Sequence, residues 1–140
     1  MSHKNYFKEQ LQYIDTNFQE LKSLYLSSTP LKERDNNFFN SYIHELESFL
    51  ENEVIGPISK VFIGTKVTVM FDGDDDTEDY YICLPKQSDP DAGCISFLSP
   101  VGRQLLLRNV DDNVLLNTPA GSLPVTIKSI TFAENLILQR

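Results

Sequence analysis

Residues 5–54 contain no glycine and a single proline, and their apolar residues recur at helical spacing. A stretch with so few helix breakers has one economical solution, which is helices packed on one another. From Phe7 the apolar series runs Leu11, Ile14, Phe18, Leu21 and Leu24, in steps of three and four that keep one narrow stripe on one side of a helix. A second series, Phe39, Tyr42, Leu46 and Phe49, repeats the pattern. Between them stands Ser27-Ser28-Thr29-Pro30, where Thr29 is placed to cap a second helix with Pro30 at its first position. So short a break makes the two helices antiparallel neighbours with facing stripes. The first helix is expected over residues 4–27, about 36 Å long at 1.5 Å per residue, and the second over 30–53. The expected arrangement is a helical hairpin, residues 1–55, with its tip near residues 27–35.

Gly56-Pro57 ends the helical pattern, and beyond it the apolar period falls to two. Residues 61–71 are rich in β-branched side chains, with Val67, Val69 and Phe71 on one face. Asp72-Gly73 opens an acidic loop, and 80–84 reads as the returning strand. A loop with Pro85, Pro90 and Gly93 leads to a short strand at 94–97. Ser99-Pro100 repeats the cap-plus-proline signal and predicts a helix over 101–108. Residues 114–117 and 125–132 pair across Pro119-Ala120-Gly121, and Pro124 suggests an edge position for the last strand, because proline cannot donate to a ladder. The second region, residues 58–140, is therefore an α+β domain: a mainly antiparallel sheet carrying one short helix.

Composition narrows the function classes. Of 140 residues 41% are apolar, enough for one compact core of about 80–100 residues. The formal charge of -8 argues against a protein that binds nucleic acid by neutralising phosphates, and no sequence-specific nucleic-acid binding is expected. No long uncharged apolar run is present, so no membrane span is expected. The first residues, MSHKNYFKEQ, lack the apolar core of a secretory signal, which makes a cytoplasmic address the expectation. Cys83 and Cys94 form neither a disulfide framework nor a zinc spacing and read as small core residues. His3 and His44 have no catalytic partner in the sequence, and no Ser-His-Asp order or phosphate-binding glycine loop occurs. The run Asp72-Gly73-Asp74-Asp75-Asp76-Thr77-Glu78-Asp79 fails the calcium-loop template, with Thr77 at the sixth position and Cys83 at the twelfth, and reads as a solvated hairpin loop.

Residues 95–132, I-S-F-L-S-P-V-G-R-Q-L-L-L-R-N-V-D-D-N-V-L-L-N-T-P-A-G-S-L-P-V-T-I-K-S-I-T-F, resemble the C-terminal domain of the bacterial Gre transcription factors (GreA/GreB). The shared features are I-S-x-x-S-P-x-x-x-x-L-L, an acidic pair before a strand, a T-P-x-G turn and a final I-x-x-I-x-aromatic strand. The upstream I-G-T-K-V-T-V at 63–69, the acidic loop and Tyr81-Ile82 fit as well, so the resemblance extends over residues 60–132. It implies an FKBP-like fold for the second domain, docking on RNA polymerase at the rim of its secondary channel. It also implies that the hairpin is an antiparallel coiled coil that enters the channel, here about two turns shorter than in the cleavage factors. The regulator of nucleoside diphosphate kinase, Rnk, has the same domain with a shortened hairpin and is the nearest alternative.

Two sites follow from the resemblance. Gre cleavage factors carry a tip motif like D-L-K-E-N, whose acids help hold a second magnesium at the polymerase active site. The matching stretch here is Pro30-Leu31-Lys32-Glu33-Arg34, then Asp35. Glu33 keeps the second acid, Pro30 replaces the first, and Lys32 and Arg34 bring positive charge. Asp35 is the candidate substitute, although two residues along a helix point about 200° apart. Glu33 also simply suits the positive end of the expected helix. Magnesium is thus implied only if the tip works at the polymerase active site, and no other cofactor is expected. The second site is the docking loop. Ser99 and Pro100 match the family's S-P, although a helix beginning Ser-Pro needs no partner to explain it. Phe97 and Leu98 either join them as an exposed apolar patch or pack in the core.

The first functional reading is a non-enzymatic, GreA/GreB-type regulator that binds polymerase and occupies the channel. Alternatives are a transcript-cleavage-stimulating factor using the tip acids, an Rnk-like regulator and a protein-binding adaptor. A peptidyl-prolyl isomerase is suggested only by the fold, which does not carry function.

Overall fold

The computed structural model describes residues 3–51, 58–73, 75–118 and 120–133. Gly56-Pro57, Asp74 and Pro119 lie outside them, as does the side chain of His3. The chain divides into two compact units, Met1–Ile55 and Gly56–Arg140. No helix among the described residues is long and apolar enough to cross a membrane.

The first unit contains helices α1 (His3–Thr16), α2 (Phe18–Ser28) and α3 (Phe38–Glu51). Phe7 meets Phe49, Phe18 meets Phe39, and Tyr25 stacks on Phe38, so positions rising along α1 and α2 meet positions falling along α3. The helix pair is therefore antiparallel. One expected helix over 4–27 is instead two segments joined at Asn17, where φ is -109° and ψ 22°. Helical bonds still run through the joint, from Asn17 N–H to Tyr13 and from Leu21 N–H to Asn17. The Asn17 side-chain amide donates to the same Tyr13 carbonyl (2.9 Å), which accounts for the irregularity, since short polar side chains compete with the backbone for its own groups.

The seam keeps Phe7, Ile14 and Leu21 buried as expected, but ends on Tyr25, leaving Leu24 substantially exposed. Tyr25 has an aromatic partner in Phe38 and a hydrogen-bond partner beyond α2, neither of which Leu24 could use. Phe39, Tyr42 and Leu46 supply the facing stripe. Gln10 is buried among these apolar residues and accepts a hydrogen bond from the Tyr42 hydroxyl, which satisfies a polar group that would otherwise be costly there.

The second unit is a five-stranded sheet in the order β3-β2-β1-β5-β4: β1 (Thr65–Phe71), β2 (Thr77–Cys83), β3 (Cys94–Ser96), β4 (Asn113–Thr118) and β5 (Gly121–Phe132). All neighbours are antiparallel except β2 and β3. The pairing of β1 with β5 slips between Thr68 and Val69, so that Lys128 is an extra residue on β5. This bulge explains why buried positions on β5 step from Val125 to Ile127 and then by three to Ile130. Pro124 does not mark an edge strand, because β5 lies between β1 and β4. The β1 ladder stops at Val125, and Pro124 accepts from Asp72 N–H just beyond it, so its missing donor interrupts no rung.

The short helix α4 (Pro100–Leu105) touches both outer strands, β3 and β4. In a flat sheet these would lie roughly 19 Å apart, four spacings of about 4.8 Å, so the sheet must curl around the helix.

Candidate functional site

The turn of the helix pair differs from expectation. No helix begins at Pro30, which is extended at φ -56° and ψ 145° and precedes a single 3-10 turn, Leu31–Glu33. The second helix starts only at Phe38. Residues 34–37, Arg-Asp-Asn-Asn, are taken up by other bonds: Asp35 Oδ1 accepts from Asn37 N–H (2.9 Å), and the Asp35 carbonyl accepts from Phe38 N–H (3.1 Å). Local side-chain bonding of this kind opposes helix propagation. Thr29 caps nothing; its side chain is 2% exposed and its hydroxyl has no hydrogen-bond partner.

Glu33 therefore does not sit at the positive end of a helix, and the 200° argument against Asp35 no longer applies, because the two acids lie on different backbone conformations. Both side chains are exposed. Arg34 binds back onto the helix: its guanidinium donates to the carbonyls of Thr29 (2.9 Å) and Leu26 (2.7 Å) at the end of α2. Leu31 is 78% exposed at the apex. Magnesium takes six oxygen ligands and is commonly held by one or two carboxylates with water or phosphate oxygens completing the octahedron, so Glu33 and Asp35 would supply only part of such a site. Among the described residues no cluster of three or more His, Cys, Asp or Glu that would bind a metal occurs.

The second candidate, residues 96–100, is built from inward anchors and a dense set of bonds. Phe97 and Leu98 are 1% and 5% exposed, so of the two alternatives they take the second and belong to the core, with no exposed apolar patch. The Ser96 hydroxyl accepts from Leu98 N–H (3.0 Å), and the Ser99 hydroxyl donates to the Ser96 carbonyl (2.7 Å) while accepting from Gly102 N–H (3.1 Å). Ser99 thus caps α4, with Pro100 at its first position as its residue type predicts. Arg103 Nη1 donates to the Leu98 carbonyl (2.8 Å). Gly102 completes the packing, since a Cβ there would run into the Ser96 carbonyl oxygen. What the loop offers outward is the partly exposed Ser99 and the exposed Pro100. Ser96, Gly102 and Arg103, which set this geometry, were not legible as site residues because their roles lie in contacts with β3 and its loop.

Among the described residues, the remaining reactive groups do not assemble a site. Cys83 and Cys94 lie on neighbouring strands β2 and β3, two positions apart in the register, and are buried free thiols in one cluster with Ala133. Burial, reinforced by Cys94, pushes the Cys83 thiol up to about 12, and burial with nearby Asp89 raises Cys94, so neither is a nucleophile near neutrality. Of the acidic run, the described residues are exposed; Asp79 accepts from the Thr68 hydroxyl (2.6 Å) and Asp72 from that of Thr126 (3.2 Å). His44 is exposed on α3.

Residues 56–132 match the family of the transcription elongation factor GreA/GreB C-terminal domain. The chain is 36% identical over 101 residues to the transcription elongation factor GreA of Shouchella clausii, covering 69% of this chain and 64% of that protein. It is 36% identical over 93 residues to GreA of a Roseiflexus species, covering 63% of this chain and 59% of that one. The matches thus span less than two thirds of these relatives' own length. A solved GreA/GreB structure from Nitrosomonas europaea superposes with a TM-score of 0.51 at 27% identity, covering 64% of this chain and 79% of that one.

Proposed function

Because the chain belongs to the GreA/GreB family of transcription elongation factors, we propose that it regulates RNA polymerase in the cytoplasm as a non-catalytic partner. In this reading the second unit docks at the rim of the secondary channel through Ser99 and Pro100, and the antiparallel helix pair enters the channel. The observation that carries the proposal is the pairing, in one chain, of the family-matched unit with a helix pair whose turn is exposed from Pro30 to Asn37. The family's Ser-Pro is presented here by a loop whose polar groups are tied and whose apolar residues are anchored, so docking requires little ordering.

The test is binding to core polymerase and elongation on a defined template. Wild type binds and alters elongation without stimulating RNA cleavage in a backtracked complex, and Pro100→Ala weakens binding about tenfold or more, the loss of one well-packed interface contact. Failure of the wild type to bind would sink the reading. One observation favours a second reading, stimulation of cleavage by the polymerase: Glu33 and Asp35 are both exposed at the turn, while the Arg34 guanidinium binds the carbonyls at the end of α2. Cleavage that Glu33→Ala abolishes would establish it.

A further inference from the structure

The turn between α2 and α3 is held at two points by side chains that docking does not use. Arg34 binds the Thr29 and Leu26 carbonyls, which end a helix and therefore lack intrahelical donors and carry partial negative charge. The next residue is fixed from the opposite direction: Asp35 N–H donates to the Tyr25 hydroxyl (2.8 Å). Tyr25 is itself immobilised, 4% exposed, stacked on Phe38 at 4.5 Å and edge-on to Phe39. What remains between these fixings is the 3-10 turn Leu31–Glu33, whose three side chains are all exposed.

We infer that Tyr25 and Arg34 are positioning residues that latch the turn, presenting Leu31, Lys32 and Glu33 as a preformed tip before any partner is met. The inference rests on the proposed insertion into polymerase. With docking supplied by the second unit, a loose connection of this length would hold its tip in the productive geometry only part of the time, and a latched one holds it there from the outset. The latch also explains the residue types. Arginine reaches two carbonyls at once with a planar fork, which lysine cannot do, and tyrosine joins a buried ring to a hydroxyl at its far end.

The experiment uses the full chain with Tyr25→Phe, Arg34→Ala and Arg34→Lys. Four quantities are read: amide exchange at Asp35, the thermal unfolding midpoint, affinity for core polymerase and the effect on elongation at saturating protein. Tyr25→Phe and Arg34→Ala should speed exchange at Asp35 about tenfold or more, and should cut the elongation effect by a similar factor. Midpoint and polymerase affinity should stay as in wild type, and Arg34→Lys should recover part of the effect. An elongation effect that survives faster exchange overturns the inference. So does a loss of effect that merely follows a lowered midpoint, because that is a structural role only. If wild type neither binds polymerase nor alters elongation, the docking proposal falls and the latch is judged on exchange. Faster exchange at an unchanged midpoint then supports it, and unchanged exchange overturns it.

Discussion

The side-chain amide of Gln104 pairs with the backbone of Asn117 as a neighbouring strand would. Its Nε2 donates to the Asn117 carbonyl (2.9 Å), and its Oε1 accepts from Asn117 N–H (2.8 Å). Because β4 is an outer strand, this one side chain fills a rung of an otherwise open edge and ties α4 to it. The same Nε2 donates to the Pro100 carbonyl (2.9 Å), so the first residue of the proposed docking helix is held by the amide that also covers the edge.

Gln104→Leu should destabilise the protein by about 1 kcal/mol, the net value of an exposed set of neutral hydrogen bonds. Thermal unfolding checks the energy, and amide exchange at Asn117 should rise in the variant. Unchanged exchange would mean that the edge is protected by something else.

Gly102→Ala is the sharpest test of the loop. The added methyl meets the Ser96 carbonyl and the Ser99 hydroxyl, so either β3 or the cap must shift. A cost of about 1–3 kcal/mol is expected, as for other overpacked sites, with polymerase binding lost alongside. The unfolding midpoint and a binding titration measure the two effects.

Thr29→Val should hold stability constant or raise it by about 1 kcal/mol, since it replaces a buried hydroxyl without a partner by a methyl of the same shape. Arg34 binds the backbone carbonyl of this residue, not its side chain, and is left in place. A drop in the denaturation midpoint would show that the hydroxyl is satisfied in solution.

Cys83 predicts a direction with pH. Its thiol is pushed to about 12 from an ordinary 9.0, mainly by burial. A raised folded value means that the unfolded chain releases its proton first. The stability this thiol contributes is complete below pH 9 and is lost as pH rises from there toward 12. Denaturation midpoints for wild type and Cys83→Ala should therefore converge across that range. Thiol reagents at pH 8 should modify Cys83 only on unfolding.

Much of the fold was legible because it depends on local periodicity. The stripe of Phe39, Tyr42 and Leu46 is buried as its spacing requires, and Val67 and Val69 share a buried face. Ser99 caps a helix that begins at Pro100, because a hydroxyl and a ring with fixed φ act within one turn. The family motifs were equally plain, being ordered residues along one chain. The hairpin turn was misread for the opposite reason. Thr29-Pro30 looks like a helix start, yet Arg34 and Asp35 find partners on α2, and those bonds delay the second helix to Phe38.

Leu107 shows the same division at one residue. Nothing in Leu105-Leu106-Leu107 calls for left-handed backbone, but Leu107 has φ 67° because its N–H is bound to the Val61 carbonyl, while Arg108 accepts from Val61 N–H. The amino-acid order by itself determined the helical and sheet regions, the buried stripe of α3 and the buried face of β1, and which family the chain resembles. The tertiary structure decided that Phe97 and Leu98 are core and not surface, that Arg34 binds back onto the end of α2, and that Gln104 closes an edge. Those outcomes depend on contacts between residues brought together by folding, whose partners no local period or propensity specifies.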